Sequence, residues 1–152
     1  MEAISRLKYG GLTRLARPLG NLLADYQDPD FSLSKSDLII PVPLHTRRLR
    51  DRGFNQSLLL ARQVSRRRSI PLNFTALHRA RQTQPQTQLS GAERRKNVRG
   101  AFEVRKAEDV KGRRILLIDD VFTTGATVQE CANVLRKAGA SEVYVLTLAR
   151  VA

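Results

Sequence analysis

Asp119 and Asp120 stand side by side after the apolar run Ile115 to Ile118, and Thr123, Thr124, Gly125, Ala126 and Thr127 follow after only Val121 and Phe122. Adjacent carboxylates repel phosphate, whereas hydroxyls and the free amides at a helix start attract it. One ligand accommodates both features if it carries a phosphate at one end and hydroxyls at the other. A ribose 5-phosphate moiety fits. Its phosphate would lie in the threonine loop, where Gly125 lets the backbone approach, and its two ribose hydroxyls would meet Asp119 and Asp120. Two acids alone could be an ordinary strand end, but apolar run, acids, threonine loop and helix in this order favour the ligand. Neither G-x-x-x-x-G-K-[ST] nor G-x-G-x-x-G occurs in the chain.

These residues need a scaffold that holds a strand end against a helix start. Ile115 to Ile118 reads as a buried strand. Val128, Cys131, Ala132, Leu135 and Ala138 recur at helical spacing, and Gly139 is a natural stop. Glu142 to Ala149 is a further apolar strand, so this region forms one strand–helix–strand unit with a right-handed crossover. The chain is therefore α/β, a single domain with a central, mainly parallel sheet flanked by helices, whose ligands bind beyond the carboxyl ends of the strands.

Upstream, residues 1–36 read as an N-terminal helical segment and loop, with Ile4, Leu7, Leu12, Leu15 and Leu19 as apolar contacts, and residues 37–152 as the sheet domain. Asp37 to Val42 is a candidate strand, followed by a basic loop, and Asn55 caps a helix running to Arg66. Leu72 to His78 reads as a second strand. Ser90 and Glu93 have capping-box spacing, so a short helix starts there.

The 152 residues suit one domain, and 41% hydrophobic content is that of a globular chain. No apolar run approaches the ~20 residues of a membrane span. The first twenty residues lack a continuous apolar stretch and do not read as a secretory signal, so a cytoplasmic location is the default. One cysteine, Cys131, cannot form an intrachain disulfide or a cysteine zinc site. Twenty-seven basic against fourteen acidic residues leave a net charge of +13. That excess suggests a polyanionic partner: nucleic acid, anionic lipid or a multiply phosphorylated metabolite.

The segment ILLIDDVFTTGAT (Ile115 to Thr127) resembles the phosphoribosyl-pyrophosphate motif of type I phosphoribosyltransferases. Over roughly residues 37–150 the resemblance extends to the ComF family, the competence-associated branch of that fold. It is carried by VPLHTRRLRDRGFNQ (Val42 to Gln56) and by RARQTQPQTQLSGAERRKNVRGAF (Arg79 to Phe102). Two departures stand out. Relatives commonly begin with a four-cysteine zinc ribbon that one cysteine cannot build, so no zinc is expected and the chain reads as a short or trimmed form. Thr46 also stands where proline is usual.

The resemblance implies roles. Asp119 and Asp120 would be the catalytic carboxylates and Thr123 to Thr127 the ribose-phosphate loop. Arg47, Arg48, Arg50, Arg52 and Gly53 would form the pyrophosphate loop. Gln86 and Arg94 would come in with a flexible loop that closes over the site. Magnesium would be held through the ligand, not directly by the protein. The reaction implied is phosphoribosyl transfer to an unassigned acceptor. Single-stranded DNA binding within competence machinery, or sensing of phosphoribosyl pyrophosphate without turnover, are the alternatives. His45 and His78 are read as local structure.

Overall fold

The computed structural model describes residues 2–84 and 89–151. Its centre is a parallel sheet in the order β1 (Leu38–Pro41), β4 (Arg114–Phe122), β5 (Glu142–Arg150). β1 and β4 run in register from Leu38 opposite Ile115 to Pro41 opposite Ile118. Arg114 holds Asp37 through two guanidinium bonds of 3.1 and 2.9 Å, and its amide donates to the same carboxylate at 2.8 Å. These contacts fix the starts of the two strands together, and so fix where they end.

Ile115 to Ile118 are fully buried because both faces of the sheet are covered. Ile115 and Leu117 pack with Ile40 against α6 (Ala126–Lys137), through Val128, Cys131 and Leu135. Leu116 and Ile118 pack with Ile39 against α4 (Gln56–Arg68) and α2 (Ala16–Ala24), through Leu60, Val64 and Leu23. A small antiparallel pair, β2 (Leu77–Arg79) with β3 (Phe102–Val104), closes the α6 side. The result is the expected α/β architecture. Cys131 lies on the apolar stripe of α6, where burial pushes its thiol well above the ordinary range.

Three sequence expectations change. The N-terminal helix is interrupted: α1 (Glu2–Tyr9) ends before Gly10 and Gly11, and a 3-10 turn, Thr13–Leu15, leads into α2. Leu12, Leu15 and Leu19 are only half-buried, while Ile4, Leu7 and Leu23 enter the core. The basic stretch after β1 is not a loop but α3 (Thr46–Arg52), started by His45 Nδ1, which accepts from Arg47 N at 3.3 Å. Leu72 to His78 is not one strand. Leu72 makes a single parallel bridge to Ile39, and Asn73 Oδ1 then accepts from Thr75 N and Ala76 N, turning the chain into β2.

Candidate ligand site

β4 outlasts β1: pairing between them stops at Ile118, so Asp119 and Asp120 continue the strand beyond the end of its neighbour. They lie within β4 and not at its terminus, as the sequence suggested, but at the carboxyl edge of the sheet all the same. Both are buried, at 9% and 3% exposure.

Asp119 Oδ1 accepts from Ser57 Oγ and from Asp120 N, each at 2.9 Å. Ser57 is placed there by the start of α4. Asn55 caps that helix, accepting from Ser57 N and Leu58 N through Oδ1 while its Nδ2 donates to Val42 O at 3.1 Å. The cap thus ties α4 to the exit of β1 and aims the serine at the acid. Burial, then the neighbouring Asp120, push the Asp119 carboxyl up to about 7; the Ser57 and Asp120 amide hydrogen bonds oppose the rise. The two acids therefore have different environments. Asp120 Oδ2 has Lys8 Nζ of α1 at 2.6 Å as an ion pair, but the pair lacks hydrogen-bond alignment.

The threonine loop follows as expected. Gly125 is the residue before α6, with φ of 76°, and a Cβ there would lie 2.5 Å from the Phe122 ring. Thr124 Oγ1 accepts from Ala126 N at 3.4 Å. Thr123, Gly125, Ala126 and Thr127 line a cavity of about 380 Å³ together with both aspartates. Thr124 is exposed beside it and is not on the lining. Replacing Gly125 by valine forces a β-branched residue into the left-handed region, worth roughly 1–2 kcal/mol before the Phe122 clash is added. Urea unfolding is expected to show at least that loss, with phosphate binding impaired in the folded fraction.

α3 divides the four arginines of the predicted pyrophosphate loop. Arg48 and Arg52, one turn apart, are half-buried and line the cavity; Arg52 Nη1 also donates to Gln56 Oε1 at 2.5 Å. Arg47 and Arg50 are exposed and off the lining. Gly53 ends α3 in the left-handed conformation at φ of 83°. Arg94, on α5 (Gly91–Val98), lines the cavity and donates through Nε to Leu89 O at 2.8 Å. The Ser90–Glu93 capping box starts α5 as expected. Gln86 lies outside the described residues.

Three lining residues escaped the sequence analysis as site residues. Ser57 is one and Lys8 another. The third is Arg79, at the end of β2, named above only as the start of a segment. It is 7% exposed, its Nη2 donates to Thr83 Oγ1, it lies 5.2 Å over the Phe102 ring, and its Nε has no hydrogen-bond partner. Burial, and next the charge of Arg48, lower its pKa. A buried guanidinium beside another arginine is unfavourable without an anion. Its signal in the sequence was one arginine at the exit of an apolar strand, too common to single out.

The chain that builds this cavity resembles known proteins in sequence and fold. The phosphoribosyl transferase domain family matches residues 55–152. The chain belongs to this family. Competence protein F of Haemophilus influenzae is 41% identical over 119 residues, covering 78% of this chain and 52% of that protein. The DNA utilization protein YhgH of Escherichia coli O157:H7 is 39% identical over 150 residues, covering 97% of this chain and 65% of that protein. The chain thus spans between 52% and 65% of the length of these curated relatives. The likeness places it in the ComF branch of the phosphoribosyltransferase fold. Among solved structures, glutamine phosphoribosylpyrophosphate amidotransferase from B. subtilis superposes with a TM-score of 0.57 at 26% identity, over 86% of this chain and 25% of that one. Among the described residues no helix is long and apolar enough to cross a membrane.

Proposed function

We propose that this ComF-branch phosphoribosyltransferase domain binds phosphoribosyl pyrophosphate with magnesium and transfers its phosphoribosyl group, in a process of DNA uptake. The carrying observation is that the acid pair, the α6 threonine loop and the inward arginines share one cavity. The 5-phosphate would sit on Thr123, Gly125, Ala126 and Thr127, with the α6 amides and dipole behind it. Ribose hydroxyls would donate to Asp119 and Asp120. Arg48, Arg52, Arg79 and Arg94 would hold the pyrophosphate.

In transfer, a bond forms from an acceptor nucleophile to the anomeric carbon while the bond to pyrophosphate breaks, and pyrophosphate leaves with the electron pair. The aspartates stabilise the positive charge that develops on the ribose, and the arginines stabilise the leaving group. The protein offers two adjacent carboxylates, one oxygen of which, Asp120 Oδ2, has no aligned donor. That donor set suits ribose hydroxyls and a hydrated magnesium ion shared with the ligand, rather than a closed protein cage. Bound magnesium would supply further charge neutralisation at the pyrophosphate.

Calorimetric titration with phosphoribosyl pyrophosphate and magnesium tests the reading directly; no binding by the folded protein overturns it. The position of Asp119 adds a pH signature. With its carboxyl held at about 7 in the free protein, binding to the ionised acid must first remove its proton at lower pH. Affinity is therefore expected to rise between about pH 6 and about pH 8, and Asp119→Asn to flatten the part of that rise not due to the ligand phosphates. The same raised pKa predicts that Asp119 opposes folding increasingly as pH climbs from its ordinary range toward about 7.

A second reading, a DNA-binding competence factor, is favoured by a separate observation. Relatives named for competence and DNA utilization share this domain. Arginines and aromatics far apart in sequence meet at the surface: Arg62 lies 6.0 Å over the Phe74 ring, which is 54% exposed, and Arg52 lies 5.5 Å over Tyr9, which is 74% exposed. Such pairs give bases a stacking face within a field of positive charge.

A further inference from the structure

α1 contributes to the wall of the cavity. Leu7 and Ile4 anchor it in or beside the core, while Ser5, Lys8 and Tyr9 join the cavity lining with the acids. Lys8 Nζ lies 2.6 Å from Asp120 Oδ2, with 23% of its side chain exposed. The amine is therefore held against a buried carboxylate of the site by a helix from the other end of the chain. The lining also includes Arg48, Arg52 and Arg79 from other elements, so the cavity that receives the Lys8 amine has a basic wall suited to an anionic ligand.

We propose that Lys8 is a ligand-binding residue that exchanges partners: it neutralises Asp120 in the free protein and passes to an anionic oxygen of the bound phosphorylated sugar when the sugar hydroxyls take the carboxylate. This rests on the functional reading above and deepens it. Three features argue for exchange rather than a fixed structural pair. The contact lacks hydrogen-bond alignment, so Asp120 Oδ2 gains a better donor from a hydroxyl. The ammonium sits on a flexible four-carbon stem, which lets it move while Leu7 stays buried. Once hydroxyls engage both acids, a half-buried ammonium beside arginines gains from a new anion, and a phosphate oxygen of the same ligand is the available partner. α1 would then form the roof of the loaded site, not a plug expelled from it.

The test compares wild type with Lys8→Met and Lys8→Arg in titrations with phosphoribosyl pyrophosphate, ribose 5-phosphate and inorganic pyrophosphate, each with magnesium. Exchange predicts that Lys8→Met weakens phosphoribosyl pyrophosphate by about tenfold or more while Lys8→Arg retains most of the affinity. Melting curves separate this from a folding defect, because a purely structural pair shifts the melting temperature and leaves affinity per folded molecule unchanged. Should Lys8→Met fail to fold, Lys8→Gln keeps an amide donor for Asp120 without the charge and carries the same expectation. Hydrogen exchange should show α1 amides at least as protected with ligand as without. Unchanged or tighter binding without the charge, or loss of α1 protection on binding, overturns the inference and leaves the site reading intact. Wild-type protein that binds none of the three probes overturns the site reading itself, and the exchange with it.

Discussion

Asp120→Asn weakens binding of magnesium phosphoribosyl pyrophosphate by about tenfold to a hundredfold, the cost of roughly 1.5–3 kcal/mol for losing a hydrogen bond to a charged group. The expectation follows from position. Asp120 is 3% exposed, beyond the last β1 pair, and its Oδ2 is a buried acceptor without an aligned donor. Asparagine keeps the shape but withdraws the charge that a ribose hydroxyl would use. The substitution keeps the backbone amide of residue 120 as a donor to the Asp119 carboxylate. Adding Asp119→Asn should deepen the loss, though less than additively, since the two acids share one ligand. Isothermal calorimetry at about pH 8, where Asp119 is largely ionised, is the clean measurement. A folded double variant with wild-type affinity would remove the carboxylates from the site.

Most of this site was legible because its parts are local. An apolar strand, two acids, a threonine loop and an amphipathic helix occupy consecutive positions, and each element shows its own periodicity. β4, α6 and β5 accordingly fall where the pattern puts them. What was not legible depends on contacts across the chain. α3 has only Leu49 as an apolar side chain between Thr46 and Arg52, so no hydrophobic period reveals it; its start depends on a histidine cap and its end on a left-handed glycine. Without the helix, nothing distinguishes Arg48 and Arg52 from Arg47 and Arg50. The Asn73 turn that splits Leu72 from β2 is a side-chain choice competing with a plausible strand pattern. Ser57 and Lys8 reach the acids across 62 and 112 residues of sequence, respectively, a proximity that no spacing rule encodes.

Single-stranded DNA, if it uses the basic surface, should bind with little sequence preference and lose affinity steeply with salt. On single strands each phosphate contributes roughly 0.7 to the logarithmic slope, so an interface neutralising about six to ten phosphates loses roughly 300-fold to 16,000-fold between about 50 and about 200 mM salt. The fold decides which arginines can serve. Arg66, Arg67 and Arg68 look equivalent in the sequence, yet Arg67 holds Asp25 through two bonds of 2.7 and 2.9 Å, and Arg68 Nε donates to Ala24 O at 2.5 Å. These two fasten α2 to the end of α4, and their removal would confound binding with stability. Arg62 and Arg66 are exposed, one turn apart on α4, with Phe74 beside Arg62. Replacing both by alanine should lower the salt slope by about 1.4 and leave phosphoribosyl pyrophosphate affinity unchanged, because neither lines the cavity. Phe74→Ala should weaken DNA at every salt concentration without changing the slope, the mark of a lost stacking face. Replacing Arg48 and Arg52 should do the reverse of the first pair: it should impair metabolite binding strongly and affect DNA only if the strand runs over the mouth of the cavity past Tyr9. Fluorescence anisotropy across a salt series on these variants separates the two ligands. Absence of DNA binding at about 50 mM salt would end the DNA reading and leave a small-molecule site acting alone.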